Sequence, residues 1–364
     1  MEWKFDESML QPITGPAAWT GKQLEADPTW RRQLTGQEIE VLLAAAARLR
    51  AAGGPTEGFD AAQFQIPGLA DVLQWLAVQL EEGPGLVRLG GLPVERIDED
   101  DQKRIFWGLC ANLGTPVYQT AAGEIVGYIQ DNTGGKALGY NDPGPVKTAR
   151  TISRSAGALR FHSDKTDLLV LMCSSNAIDG GHSKIVSSVT LHNEIGRLRP
   201  DLLRELYHPY WRMRPTDEEG QREDNVFAMP VFAFGPDGKF TSQYSRTYVN
   251  QAQEVAGVPR LSARQNEALD LLHEVAENVH LQLAFTPGDM QFMNQHVTYH
   301  GRTAFSDDPT SGARRMLFRI WLAVPFSRAL PPGHVVQWGS SEPGALRGGA
   351  VLGKAAITHP AVAA

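Results

Sequence analysis

The sequence predicts an α+β protein, on three observations. The first third carries capped helical patterns around a single clear strand; after about residue 125 short apolar runs take over; and two further helical patterns interrupt those runs. In "TGQEIEVLLAAAARLRAAGG", Thr35 and Glu38 form a capping-box pattern and Gly53 with Gly54 supply a stop. "GLADVLQWLAVQLEEG" repeats the helical period, and "DEDDQKRIFWGLCANLG" begins with acids that suit a helix N-terminus, so the run Asp98 to Asp101 reads as a solvated helix start. Between them "GLVRLGGLPV" reads as a strand and turn.

The later runs "EIVGYIQD", "LLVLMC", "KIVSSV", "VFAMPVFAF" and "KFTSQYSRTYV" are separated by Gly, Pro and Asp, the spacing of a sandwich or barrel. The interrupting helices are expected near "LHNEIGRLRPDLLRELY" and at "SARQNEALDLLHEVAENV", the latter with Ser262 and Gln265 as a second capping box. The expected organisation is a mainly helical extension packed on the core over residues 1–84, a core over 85–330 and a loosely packed Gly- and Ala-rich tail over 331–364. No repeat or low-complexity tract interrupts this order.

Composition narrows the function classes. A chain of 364 residues with 42% hydrophobic and 21% charged residues is ordinary globular material. The net charge of -7 gives no general basis for nucleic-acid binding, so a small-molecule substrate is the expectation. Cys110 and Cys173 form neither a CxxC nor a disulfide framework. The start "MEWKFDESML" has no h-region, and no apolar run approaches the roughly 20 residues that cross a bilayer. A soluble cytoplasmic protein is therefore expected; assembly into a homo-oligomer is left open.

"FHSDKTD" places His162 and Asp164 two apart just before "LLVLMC". On a strand, residues i and i+2 share a face, so imidazole and carboxylate would enter one space. A metal, a proton-transfer role and a plain strand-end hydrogen bond all fit that pair, with Asp167 as a rival carboxylate or a turn residue. Further on, "TPGDMQFMNQHVTYHGRTAF" holds His296 and His300 four apart. A zincin would need Glu where Val297 stands, and Val, Thr and Tyr favour a strand. Geometry does not choose between the two histidines.

"GARRMLFRIWLAVP" read as a strand puts Arg315, Leu317, Arg319 and Trp321 on one face and Met316, Phe318, Ile320 and Leu322 on the other. Arginines facing water are one reading. Leu317 and Trp321 on the arginine face favour the other, a strand buried on both sides with two guanidinium groups aimed into an anion-binding cavity.

"FHSD", "GGHSKIVSS", "NQHVTYHGRTAF" and "RRMLFRIWL", in this order and spacing over about residues 85 to 330, resemble the taurine dioxygenase-like superfamily of Fe(II)- and 2-oxoglutarate-dependent oxygenases. The resemblance implies a double-stranded β-helix (jelly-roll, cupin-like) core and a non-haem iron dioxygenase using Fe(II), 2-oxoglutarate and O2. It implies His162, Asp164 and His300 as the metal-binding facial triad, with His296 left to packing or support. It further implies Arg315 as the partner of the co-substrate's far carboxylate, Arg319 facing co-substrate or substrate, and Ser183 as a hydroxyl toward the co-substrate, where many members have Thr after Gly-Gly-Asp. Retention of Asp164, which halogenating relatives replace by a small residue, points to hydroxylation, or to desaturation or cyclisation.

The competing readings are a cupin-type hydrolase or isomerase using another metal at the same triad, and a metal-free binding module. Tyr244, Arg246 and Tyr248 are candidates for lining the substrate pocket, Asn294 for orienting the His300 loop, and residues 130–160 and 210–250 for the loops that decide the substrate.

Overall fold

The computed structural model describes residues 5–140, 149–215, 224–308, 310 and 312–350. Parts of the two expected substrate loops (141–148 and 216–223) and the tail beyond 350 lie outside the described residues.

Two sheets make the core. The seven-stranded major sheet runs Arg31–Gln33, Leu86–Gly90, Met290–Asn294, Leu168–Ser175, Met316–Ala323, Thr115–Val117, with Gly127–Ile129 also paired to Met316–Ala323. Its first pair is parallel and the others antiparallel. The four-stranded minor sheet is antiparallel in the order Leu281–Leu283, Ser183–Ser187, Thr298–Arg302, Leu159–His162. This is the jelly-roll arrangement that the resemblance implies.

Alternation along the strands decides what each face meets. Met290, Phe292, Phe318, Ile320 and Leu322 point outward from the major sheet into one apolar cluster with the helices Gly36–Ala51, Ala70–Glu81 and Glu99–Leu113. Phe161, Val186 and Tyr299 point outward from the minor sheet, into a second cluster with Ser188–Leu198, Pro200–Leu206 and Ala263–Val279. Leu169, Met293 and Trp321 of one sheet meet Ile185 and Leu281 of the other between them. The order is helices, sheet, interior, sheet, helices. Each strand therefore has one residue in two free to face the interior.

Both capping boxes form, at Thr35 with Glu38 and at Ser262 with Gln265. Four expectations change. The helix expected near 191–207 is two, Ser188–Leu198 and Pro200–Leu206, because Pro200 cannot continue the first and opens the second. The strand expected through "KFTSQYSRTYV" stops at Ser242, and Arg246–Ala252 is helical, with Val249 and Ala252 buried three apart on one side. Asp101 is no solvated start: it is buried and bound by Arg50 and Arg104, while Asp98 caps the helix. Nor does a boundary fall at residue 84, since Arg31–Gln33 extends the major sheet.

The tail expectation is corrected over its described part. Trp338 and Arg347 are fully buried. The Arg347 guanidinium donates to Asp167 Oδ1 at 2.8 Å and to the carbonyls of Arg328 and Glu342, and Gly349 N donates to Lys165 O at 2.7 Å. Glycine content misled here, because at Gly348 a Cβ would stand 2.7 Å from Lys165 O: the glycines allow close approach. Arg347→Met should leave Asp167 a buried carboxylate short of its cation and cost about 3–5 kcal/mol of stability in urea unfolding; a loss under 1 kcal/mol would show that His296 alone suffices.

Candidate active site

His162 ends one minor-sheet strand, and His300 sits directly opposite it on the next. Because the pairing is in register, both imidazoles project to the interior face, with ring centroids 4.2 Å apart, while Phe161 and Tyr299 beside them face the helices. Gly301 permits this approach: a Cβ there would lie 2.7 Å from Leu159 O. Asp164 lies two residues past His162, beyond the strand end, and still converges. Its Oδ1 is 3.7 Å from His162 Nε2 and its Oδ2 is 3.9 Å from His300 Nε2. One ligand atom from each of His162, Asp164 and His300 falls within 4.8 Å of the others, the one such group among the described residues.

The donor set suits a divalent cation. His162 Nδ1 lies 2.9 Å from Arg160 O, which assigns the proton to Nδ1 and leaves the Nε2 lone pair for a metal. Burial pushes both imidazoles toward neutrality; His300, also beside His162, falls to about 3. Burial alone would raise the Asp164 carboxyl, but Arg319, His300, His162 and the Trp321 N–H together hold it below its ordinary value. Two neutral imidazoles and one carboxylate at a shared point match the facial triad of non-haem Fe(II).

The arginine strand supplies the opposite wall. Arg315 stands one residue before it and is buried, with its Cζ 5.4 Å from the Phe305 ring centroid and its Nη1 without an acceptor. Burial pushes it down to about 10, which leaves it charged at neutral pH. Gly181 (φ +69°) makes room for it, since a Cβ there would stand 2.8 Å from Arg315 Nε. Arg319 donates from Nε to Gln119 Oε1 at 2.6 Å and its Nη1 lies 3.9 Å from Asp164 Oδ2. Ser183 accepts from Gln291 Nε2 at 3.0 Å. His162, Ser183, His300, Arg315 and Arg319 line one cavity with Leu171, Leu317 and Phe285. Asp164 and Trp321 line a second cavity together with Ser163, Arg212 and Tyr248.

The other candidates fall elsewhere. His296 is 2.9 Å from Asp167 Oδ1 and stacks on Trp338, so both histidine alternatives resolve: His300 faces the interior triad and His296 the buried Asp167–Arg347 pair. Asn294 accepts from His296 N and donates to Leu80 O, which shapes the turn between the two sheets without touching His300. Tyr244 packs on Tyr299 outside the minor sheet, and Arg246 pairs with Asp270 there. Of the three, Tyr248 alone lines a cavity that Asp164 also lines.

Residue reasoning passed over Trp321, whose Nε1 donates to Asp164 Oδ2 at 2.9 Å, Gln295, whose Oε1 accepts from Asp164 N at 2.8 Å, and Gln119. Trp321 could have been found, since it shares the arginine face; Gln119 lies 200 positions from Arg319 and carries no local signal.

Residues 50–321 match the sequence model of the Taurine catabolism dioxygenase TauD, TfdA family. The chain is 28% identical over 343 residues to FR-33289 synthase of Streptomyces rubellomurinus (strain ATCC 31215), covering 92% of this chain and 97% of that protein. It is 26% identical over 326 residues to the taurine hydroxylase-like protein SAT17 of Stachybotrys chartarum (strain CBS 109288 / IBT 7711), covering 87% and 81%. Its fold resembles asparagine oxygenase in complex with Fe(II), 2S,3S-3-hydroxyasparagine and succinate (TM-score 0.59, 18% identity, 80% of this chain and 93% of that one). The non-heme iron oxygenase OrfP in complex with Fe and alpha-ketoglutaric acid gives the same values.

Trp321→Phe removes the indole donor from Asp164 while keeping an aromatic ring. It should lower Fe(II) or Co(II) affinity by about 10- to 100-fold in equilibrium dialysis, with the fold intact by circular dichroism; unchanged metal affinity would show that the indole does not orient this carboxylate. The chain belongs to the Taurine catabolism dioxygenase TauD, TfdA family, the 2-oxoglutarate-dependent non-haem iron dioxygenases.

Proposed function

We propose that His162, Asp164 and His300 hold the Fe(II), that Arg315 binds the far carboxylate of 2-oxoglutarate, and that the chain hydroxylates, desaturates or cyclises a small organic molecule as 2-oxoglutarate becomes succinate and CO2. The observation that carries this reading is the convergence of two neutral imidazoles and a carboxylate, with both imidazoles lining the same cavity as a buried guanidinium whose Nη1 has no acceptor. When bound, the metal supplies oxygen activation and the co-substrate supplies two of the electrons.

The chain's own residues bind, orient and keep water out. The interior between the sheets is apolar around the polar groups, with Leu169, Leu171, Leu317 and Phe285 on its walls. A dicarboxylic acid entering it would meet a planar fork at Arg315, which a carboxylate fits with two parallel hydrogen bonds and which Lys could not match. Ser183, fixed by Gln291, presents a hydroxyl in the same cavity. Arg319, held by Gln119, adds a second positive charge between the triad and that fork. Asn and Arg derivatives occupy the structurally similar oxygenases, which supports a small-molecule substrate here.

Under air, the chain with Fe(II) and 2-oxoglutarate should release succinate, faster when a substrate is present. Arg315→Leu should raise the half-saturating 2-oxoglutarate concentration by about two orders of magnitude, the value of a lost charge-assisted pair. The reading fails if no succinate forms, or if Arg315→Leu saturates at the parent's concentration.

A further inference from the structure

Residues 348–350 are buried and reach both sides of the triad through backbone alone. Gly349 N donates to Lys165 O and Ala350 N to Tyr118 O, each at 2.7 Å. Lys165 directly follows Asp164, and Tyr118 directly precedes Gln119, which accepts from Arg319 Nε at 2.6 Å and donates to Arg319 O at 2.8 Å. Two consecutive amides therefore bridge the chain beside the triad's carboxylate to the chain beside the residue that holds Arg319. The charge pair between those two sides, Arg319 Nη1 and Asp164 Oδ2, stands 3.9 Å apart.

The bridge leaves no room for side chains. Gly348 has φ +75°, and a Cβ there would stand 2.7 Å from Lys165 O; Gly349 has φ +65°, and a Cβ there would stand 2.8 Å from Tyr118 O and 2.9 Å from Val117 Cβ. Conformation and space both demand glycine at the two positions. The segment is anchored just before them, where the fully buried Arg347 donates to Asp167 Oδ1 at 2.8 Å and Gly348 N donates to Trp338 O at 3.1 Å. Attraction within a buried charge pair is little screened and varies with its separation. A metal-binding carboxylate also depends on the groups that hold it, whose loss costs about 10- to 100-fold in metal affinity.

We propose that Gly348, Gly349 and Ala350 are positioning residues for the metal site: by fixing Lys165 O against Tyr118 O they set how closely Arg319 faces Asp164, and so how firmly the triad holds its metal. This rests on the triad reading above. The three residues act through Asp164 on one side and through Gln119 and Arg319 on the other. The competing role is a plain tether, which adds stability and leaves metal binding unmoved. Linkage separates the two, because a clip that raises metal affinity must itself be tightened by bound metal to the same degree.

The test uses Co(II) as the probe metal, titrated into the full chain and read by its visible absorption, together with hydrogen exchange read by mass spectrometry. Gly348→Ala and Gly349→Ala should each weaken Co(II) about tenfold or more and shift its absorption. Gly349→Ala combined with Gln119→Leu should cost less than the product of the two single effects, since both act through Arg319. Leu76→Ala, which opens the distant helical layer, should lower stability yet leave Co(II) affinity and absorption as in the parent. In the parent, loading with Co(II) should slow exchange over residues 347–350 about tenfold or more, and clearly more than in the outer helix Ala263–Val279. Should the glycine variants fail to fold, that exchange measurement decides alone. Equal slowing of segment and helix, glycine variants that bind Co(II) as the parent does, or an equal loss in Leu76→Ala overturns the proposal while the triad reading stands. A parent that takes up no Co(II) fails the triad reading, and this proposal with it.

Discussion

The constraint on which the structure turns is the burial of a carboxylate between two imidazoles inside a sandwich of sheets. A charge in such a place needs a partner and a fixed position, and the fold supplies both from separate elements: the Trp321 N–H donates to the carboxylate from the major sheet, Gln295 Oε1 accepts from Asp164 N at the turn between sheets, and the register of His162 with His300 in the minor sheet brings both imidazoles beside it. The same alternation that turns Phe161 and Tyr299 toward the helices turns the histidines inward. Removing the apolar outer faces would therefore remove the site with them.

A second buried carboxylate, three residues on, explains why the first is held firmly. Asp167 receives His296, Arg347 and Val324 N, and so ties the segment after the triad to the strand Met316–Ala323 and to the C-terminal segment. Burial would raise Asp167, but His296 and Arg347 hold it low and ionised. His296 and His300 are thus two histidines with two carboxylates, one pair closed by an arginine and packed, the other open to a cavity. That difference, and not the spacing of the histidines, separates a structural pair from a metal site.

Much of this was legible in the sequence because it depends on local period. The face shared by Arg315, Leu317, Arg319 and Trp321, the two capping boxes and the inward turn of His162 all follow from alternation or from four-residue patterns. What stayed hidden depends on partners far apart in the chain. Gln119 meets Arg319, Arg347 meets Asp167, and Arg212 reaches Gln243 through backbone carbonyls that no side-chain pattern announces. The tail was misread for a related reason: its glycines look like loose chain, whereas Gly348 and Gly349 sit where a Cβ would strike Lys165 O and Tyr118 O. The run "KFTSQYSRTYV" reads as a strand, whereas Val249 and Ala252 are buried three apart on one side of the helix Arg246–Ala252.

Anomalous diffraction at the iron edge, on crystals loaded with Fe(II) without oxygen, tests the central assertion most directly. One peak within bonding distance of His162 Nε2, His300 Nε2 and a carboxylate oxygen of Asp164 is the predicted result. Full iron loading with the peak at His296 and Asp167, or elsewhere on the chain, would contradict the account.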